Sequence, residues 1–181
     1  MGGYKDLLVY RLAVTIYDLN IGFYKRFLSD PKHRRTIEQM HQAARSGKQN
    51  IVEASLEKST ASDMMLTGVA RASFGELLED YKDFLRERSM PVWEKDDPRI
   101  FRIRAFRESV ENETNLSNLT NWTNLDFELP VNYANLMICL VHKESYLLDQ
   151  LSRAKEQMFV EKGGFKENLF KRKAFPNPKG N

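Results

Sequence analysis

Residues 39–54 read QMHQAARSGKQNIVEA, and this run decides the fold. Met40, Ala44, Ile51 and Ala54 recur at spacings that put them on or beside one face of an α-helix, whose period is 3.6 residues. Ala43 and Gly47 add a strip of small side chains. Glycine inside a helix costs about 1 kcal/mol relative to alanine, and close approach of a second backbone compensates for it. The run therefore predicts a helix pressed against a neighbour, with Asn50 and Glu53 beside the contact. A buried Asn50 fixing the register of that contact is one reading, because a paired buried amide specifies geometry and an unpaired one is costly. A functional contact made by Asn50 and Glu53 is the other.

Helical signals continue on both sides. The spacings alternate between three and four along Leu7, Tyr10, Val14, Tyr17, Ile21, Tyr24 and Leu28, which is the seam of a coiled-coil-like first helix. Ser29-Asp30-Pro31 ends it, since proline cannot continue the hydrogen-bond ladder. The second helix begins near residues 32–35 and runs to about Lys58, and the polar run Ser59–Asp63 supplies a cap for a third that reaches about Arg88. Leu66, Ala70, Ser73, Leu77 and Phe84, with Phe74, Tyr81 and Leu85 alongside, give that third helix a wide apolar face. Gly68, Ala72 and Gly75 form its small-residue strip, and Gly68 and Gly75 are expected, like Gly47, to be helix contacts.

Residues 89–130 are the irregular part, punctuated by Met90-Pro91 and Asp97-Pro98, with a short helix over Arg99 to about Val110. Asn112, Asn115, Asn118, Asn121 and Asn124 then recur every third residue. Four of them stand in N-glycosylation triplets, but a polar loop or frayed helix pinned by Leu116, Leu119 and Trp122 is the preferred account. The last helix spans about Val131 to Glu161, with Met137, Val141, Leu148, Leu151, Ala154 and Met158 at helical spacing and Gly163-Gly164 as its stop. No segment sustains strand alternation. The expectation is an all-α chain: an up-and-down four-helix bundle over 1–161 with an insert at about 89–130, then a basic tail over 162–181 that ends in disorder.

Composition agrees with an ordinary globular domain. A single cysteine, Cys139, rules out an internal disulfide and fits a reducing compartment. Lys5, Asp6 and Arg11 interrupt any signal-peptide apolar region, and the apolar run Leu136–Val141 is far too short to span a bilayer. A cytoplasmic protein without membrane contact is expected.

Chemistry-bearing motifs are few. Glu38-x-x-His41 has the spacing of one di-iron ligand pair, but the nearest analogue, Cys139-x-x-His142, replaces the carboxylate by a thiol. There is no phosphate-cradling glycine loop and no zinc-type pairing of Cys and His. No metal, cofactor or catalytic residue is assigned. Charge is the stronger signal. Residues 25–48 hold seven cations, Lys25, Arg26, Lys32, Arg34, Arg35, Arg45 and Lys48, against Asp30 and Glu38. Residues 162–181 hold six, Lys171, Arg172 and Lys173 among them, against Glu167. Such patches attract polyanions through counterion release; a solvated surface and a solubilising tail are the competing reading. Phe165, Leu169 and Phe170 between the tail cations suit either base stacking or docking on a neighbouring subunit.

Gln39, Ala43, Ala44, Ser46, Asn50, Ile51 and Glu53 match the second-helix motif of a known family, the four-helix-bundle proteins encoded in intervening sequences of bacterial 23S ribosomal RNA genes, which this chain resembles. Tyr4-Lys5-Asp6-Leu7 is similar to that family's Phe-x-Asp-Leu opening, and Ser73-x-x-Glu76-Leu77 to its third-helix Ser-x-x-Glu-Leu. From Ala134, the run ANLMICLVHKESYLLDQ with Phe159, Gly163-Gly164 and Glu167-Asn168 resembles a suffix domain that extends some of these bundles. The resemblance implies an up-and-down bundle that assembles into rings, often pentamers. One branch, the accessory variability determinant of diversity-generating retroelements, implies RNA or DNA and a reverse transcriptase as partners. His41-Gln42 replaces the family's Arg-Arg and Ala54 its glycine, so part of that basic surface is missing. The expected function is a non-enzymatic, homo-oligomeric adaptor or scaffold that binds nucleic acid electrostatically. A pure protein–protein interaction module is the alternative, and a metal-dependent enzyme the remote one.

Overall fold

The computed structural model describes residues 4–106 and 116–162. Among them there is no strand, and six α-helices follow one another: α1 (Leu8–Phe27), α2 (Arg34–Leu56), α3 (Thr60–Glu87), α4 (Pro98–Ala105), α5 (Leu116–Thr123) and α6 (Pro130–Lys162). The four long helices make the bundle. Each packs on two neighbours in the cyclic order α1, α2, α3, α6, so α1 and α3 stand on one diagonal and α2 and α6 on the other. The bundle is therefore four long helices plus two short ones, a correction to the four-helix count.

Local chemistry places the breaks. Asp30 Oδ1 accepts the Lys32 N–H at 3.0 Å and Pro31 opens a single 3-10 turn, which reverses the chain between α1 and α2. Asp97 Oδ1 accepts the Arg99 N–H at 2.9 Å, with Pro98 in the first turn of α4, where a missing N–H is harmless. Two charge-assisted bonds from the Arg99 guanidinium hold the Asp97 carboxyl down at about 2. Asn124 ends α5 in the left-handed conformation at φ 54°, which asparagine tolerates better than most residues, and its N–H reaches Thr120 O at 2.8 Å.

The buried seam of α1 is not the one its spacing suggested. Val9, Leu12, Ile16, Leu19 and Phe23 face the core, with Ala13 and Asn20 beside them. Tyr10, Val14, Tyr17, Ile21 and Tyr24 are only half-buried and Leu7 is exposed; Leu28 alone of the expected set is buried. Both sets obey the same three-four alternation, displaced by two residues, and the inner set carries no polar atom to solvate. Phe23 anchors the centre with edge contacts to Tyr81, Phe84 and Tyr133 at 4.8–5.5 Å.

Buried amides set the register. Asn20 donates to Met40 O at 3.1 Å and accepts the Tyr81 hydroxyl at 2.7 Å, tying α1 to α2 and α3. Burial pushes the Tyr81 hydroxyl far above its ordinary range, so it stays a donor. Tyr133 on α6 donates to Leu19 O at 2.9 Å, and a Cβ at Gly22 would sit 2.8 Å from that hydroxyl oxygen.

The described parts of the insert, residues 89–106 and 116–130, pack on the bundle, with α4 against α6 and α5 against α4. Asn135 accepts the Trp93 N–H at 2.8 Å and donates to Pro91 O at 3.0 Å. Trp93, Ile100, Ile103, Leu119 and Phe127 join the core. Of the three residues expected to pin this region, Leu119 is buried and Leu116 partly so, whereas Trp122 is exposed and donates to Arg102 O at 3.0 Å. The expected helix over 99–110 closes at Ala105, and residues 107–110 lie outside the described set. On α6 the expected face is buried through Val141 and Leu148, but Ala154 and Met158 are exposed.

Candidate nucleic-acid interface

Five of the expected cations come together at the end of the bundle where α1 turns into α2. Lys25 and Arg26 occupy the last turn of α1, Lys32 the 3-10 turn, and Arg34 and Arg35 the first turn of α2. All five side chains are exposed. Arg26 Nη1 meets Glu128 Oε1 at 2.9 Å, Lys32 meets Asp30 at 3.2 Å and Arg34 meets Glu38 at 3.0 Å. Exposed pairs of this kind contribute about 0–1 kcal/mol, so a phosphate can compete for each cation. Lys25 and Arg35 have no ion-pair partner among the described residues.

Arg45 and Lys48 do not belong to that cluster. They lie at least three turns further along α2, about 16 Å or more from Arg34 at 1.5 Å per residue. Lys48 Nζ sits 3.9 Å over the Tyr17 ring, and His41 Nδ1 is 3.2 Å from the Tyr24 hydroxyl, so this part of α2 flanks the outer face of α1. Lys171, Arg172 and Lys173 lie outside the described residues, as do Phe165, Leu169, Phe170 and the Gly163-Gly164 stop.

An acidic recess borders the cationic end. His33, Thr36 and Gln39 from the α2 side and Asp80, Asp83, Glu87 and Arg88 from α3 line a cavity of about 180 Å³ floored by Leu28 and Phe84. The half-buried Asp80 carboxyl is pushed up to about 6, first by burial and then by Asp83 and Glu76. A polyanion therefore meets attraction on the α1–α2 side of this end and repulsion on the α3 side. Nothing in the sequence reading had marked Asp80; its signal was the acidic run on one helix flank, visible only once α3 is set beside the α2 start.

The residues expected to be helix contacts part company. A Cβ added to Gly47 would lie 2.7 Å from two atoms of the Phe74 ring, so α2 and α3 touch there. Gly68 and Gly75 point outward, and a Cβ at either meets nothing within 4 Å. They are not contacts within the bundle, because the wide apolar face of α3 centres on Ala70, Phe74 and Leu77 on the opposite side. Asn50 turns back on its own helix, donating to Ser46 O at 2.8 Å and Ser46 Oγ at 3.2 Å. The bond that crosses to α3 is Ser46 Oγ to Ser73 Oγ at 2.9 Å. Glu53 is exposed. Asn20, which the sequence reading passed over, is the buried register residue.

Metal and nucleophile chemistry finds no assembled site. Among the described residues no three His, Cys, Asp or Glu side chains converge on a metal position. Glu38 is spent on Arg34, and His41 on Tyr24. Cys139 is buried, and burial raises its thiol pKa away from the reactive thiolate. His142 is exposed on the other flank, its pKa lowered by desolvation and by Lys82 and Arg104. A recess of about 290 Å³ at the far end is lined by Tyr4, Leu7, Ile51 and Leu151, with Lys155 closing on Asp63 at 2.5 Å and Thr67 at 2.9 Å. Its charges neutralise one another and clasp α3 to α6. No helix among the described residues is long and apolar enough to cross a membrane.

The chain matches no family model, no curated protein and no solved structure.

Proposed function

We propose that this protein is a non-enzymatic, homo-oligomeric helical-bundle adaptor that binds nucleic acid electrostatically through the α1–α2 end. The observation that carries this reading is the gathering of Lys25, Arg26, Lys32, Arg34 and Arg35 on one exposed turn. Their contacts are with phosphate rather than base edges, and recognition is sequence-tolerant, since the sequence carries no base-reading motif. The resemblance to the ribosomal intervening-sequence proteins supports the oligomer and the polyanion together, with a reverse transcriptase as the protein partner.

The test is binding of the full-length protein to mixed-sequence single-stranded RNA across a salt series. Several phosphate contacts require a log–log slope steeper than about −2. Replacing Lys25, Arg26, Arg34 and Arg35 together by glutamine is expected to flatten that slope and abolish binding at physiological salt. Unchanged binding by this variant removes the turn from the interface. A second reading, a protein–protein module without nucleic acid, is favoured by the half-buried apolar seam left on the outside of α1. No RNA or DNA binding at low salt selects it.

A further inference from the structure

The geometry points to a small-molecule site at the far end of the bundle, in the recess bordered by Lys155 and Asp63. Its ligand is a short aliphatic molecule whose head group is dipolar but carries no net charge. The site stands apart from the cationic turn, which lies at the other end of α1 and α2, and it goes beyond the nucleic-acid reading.

The hollow has a cause in the sequence. Ile51 and Leu148 belong to the core, and Leu151 and Tyr4 continue it outward, half-buried. Between them the side chains that α2 and α3 turn into this level are short: Ala54, Ser55 and Thr67. The core therefore ends in a recess of about 290 Å³. That is the lower end of the roughly 300–1,000 Å³ usual for small-molecule sites. Walls left facing a gap forfeit dispersion contacts, which an occupant of matching shape restores.

The polar side of the recess selects the head group. Lys155 and Asp63 are only 16 % and 20 % exposed, so their hydrogen-bonding capacity is poorly served by bulk water. Lys155 gives two of its three N–H donors to Asp63 Oδ1 and Thr67 Oγ1, and the Thr67 hydroxyl in turn donates to Asp63 O at 2.8 Å. Asp63 Oδ2 accepts no hydrogen bond among the described residues. One donor and one acceptor are thus left side by side for an occupant. A carboxylate suits Lys155 but lies against the Asp63 charge, and an ammonium suits Asp63 but lies against Lys155. A head that accepts from Lys155 and donates to Asp63 satisfies both; a primary amide and an amino-acid zwitterion share this chemistry. Water alone serves the polar pair and leaves Leu7, Ile51, Leu148 and Leu151 facing it, whereas an aliphatic body covers them.

The experiment is a methyl-detected NMR titration of the full-length chain with hexanamide, norleucine, hexanoate and hexylamine, which share one straight carbon chain. Hexanamide or norleucine is expected to shift the methyls of Ile51, Leu148 and Leu151, with a dissociation constant on the order of millimolar for so small a ligand. Hexanoate and hexylamine are expected to bind at least about tenfold more weakly. Tighter hexanamide assigns an amide-type head and tighter norleucine an amino acid; either result supports the site. Asp63→Asn is expected to turn the preference toward hexanoate, and Lys155→Met toward hexylamine. Ser55→Trp, at the exposed rim, is expected to close the mouth and remove binding while circular dichroism stays unchanged. No methyl shift with any probe at millimolar concentration overturns the site. Equal binding of all four probes, or binding that survives Ser55→Trp, shows unspecific apolar adsorption and overturns it too. A wild-type preference for hexanoate or hexylamine overturns the dipolar head.

Discussion

The two seams of α1 share a period, a length and a helix, yet one is core and the other is surface. Val9, Leu12, Ile16, Leu19 and Phe23 surrender nothing polar on burial. Tyr10, Tyr17 and Tyr24 each keep a hydroxyl that needs a partner, and they stop half-buried, with Tyr24 satisfied by His41. The same contrast separates Gly47, pressed against Phe74, from Gly68 and Gly75, which face open space. Spacing tells which residues share a face; only the desolvation of what they carry, and the shape of the neighbour, tells which face goes in.

That contrast breaks most visibly at its inner end. Phe23→Ala is expected to lose about 3–5 kcal/mol in urea denaturation, because a fully buried ring leaves a cavity among Tyr81, Phe84 and Tyr133. Val14→Ala on the outer seam is expected to stay below about 1 kcal/mol. A similar loss at both positions would erase the distinction between the seams. Asn20→Ala comes next. It strands the Tyr81 hydroxyl in the core and removes the second bond to the Met40 carbonyl, for an expected loss of about 1–3 kcal/mol read from the same denaturation curves.

The glycine pair sharpens the comparison with a change of sign. Gly47→Ala must displace the Phe74 ring and is expected to destabilise by about 1–3 kcal/mol. Gly68→Ala meets no atom and gains helix propensity, so stability should rise by up to about 1 kcal/mol. Thermal melts of the two variants moving in the same direction would contradict the placement of one glycine inside and the other outside.

The smallest effect lies at the margin between buried and exposed, at Asp80. Its folded-state value of about 6 stands above the roughly 3.9 of an unfolded chain. At this site the folded protein therefore binds more protons between those values, so the Asp80 contribution to stability is fully present below about 4 and is lost as pH rises through 6. With the carboxyl only half-buried, solvent screening leaves about 1 kcal/mol. Asp80→Asn should recover that amount at pH 7 and flatten this stretch of the stability–pH profile. A profile identical to the wild type would exonerate Asp80.

Much of the architecture was legible because it depends on short-range rules. Pro31, Pro98 and the Ser59–Asp63 run mark breaks that proline geometry and capping enforce wherever they occur, and the three long helices they bound follow from apolar periodicity. The cationic turn was legible too, since residues adjacent in sequence stay adjacent when a turn joins two helices. Arg45 and Lys48 were legible as lying further along, since a helix rise of about 1.5 Å per residue carries them away from the turn.

The sequence by itself determined an all-helical chain, the positions of its main turns and the sign of the charge at the first of them, since backbone geometry and charge act locally. Tertiary structure alone decided which α1 seam is buried, that Asn20 rather than Asn50 fixes register, and that Gly47 is a contact while Gly68 and Gly75 are not. Those outcomes depend on which side chains from distant helices compete for the same space, and on which polar atoms find partners there when water leaves.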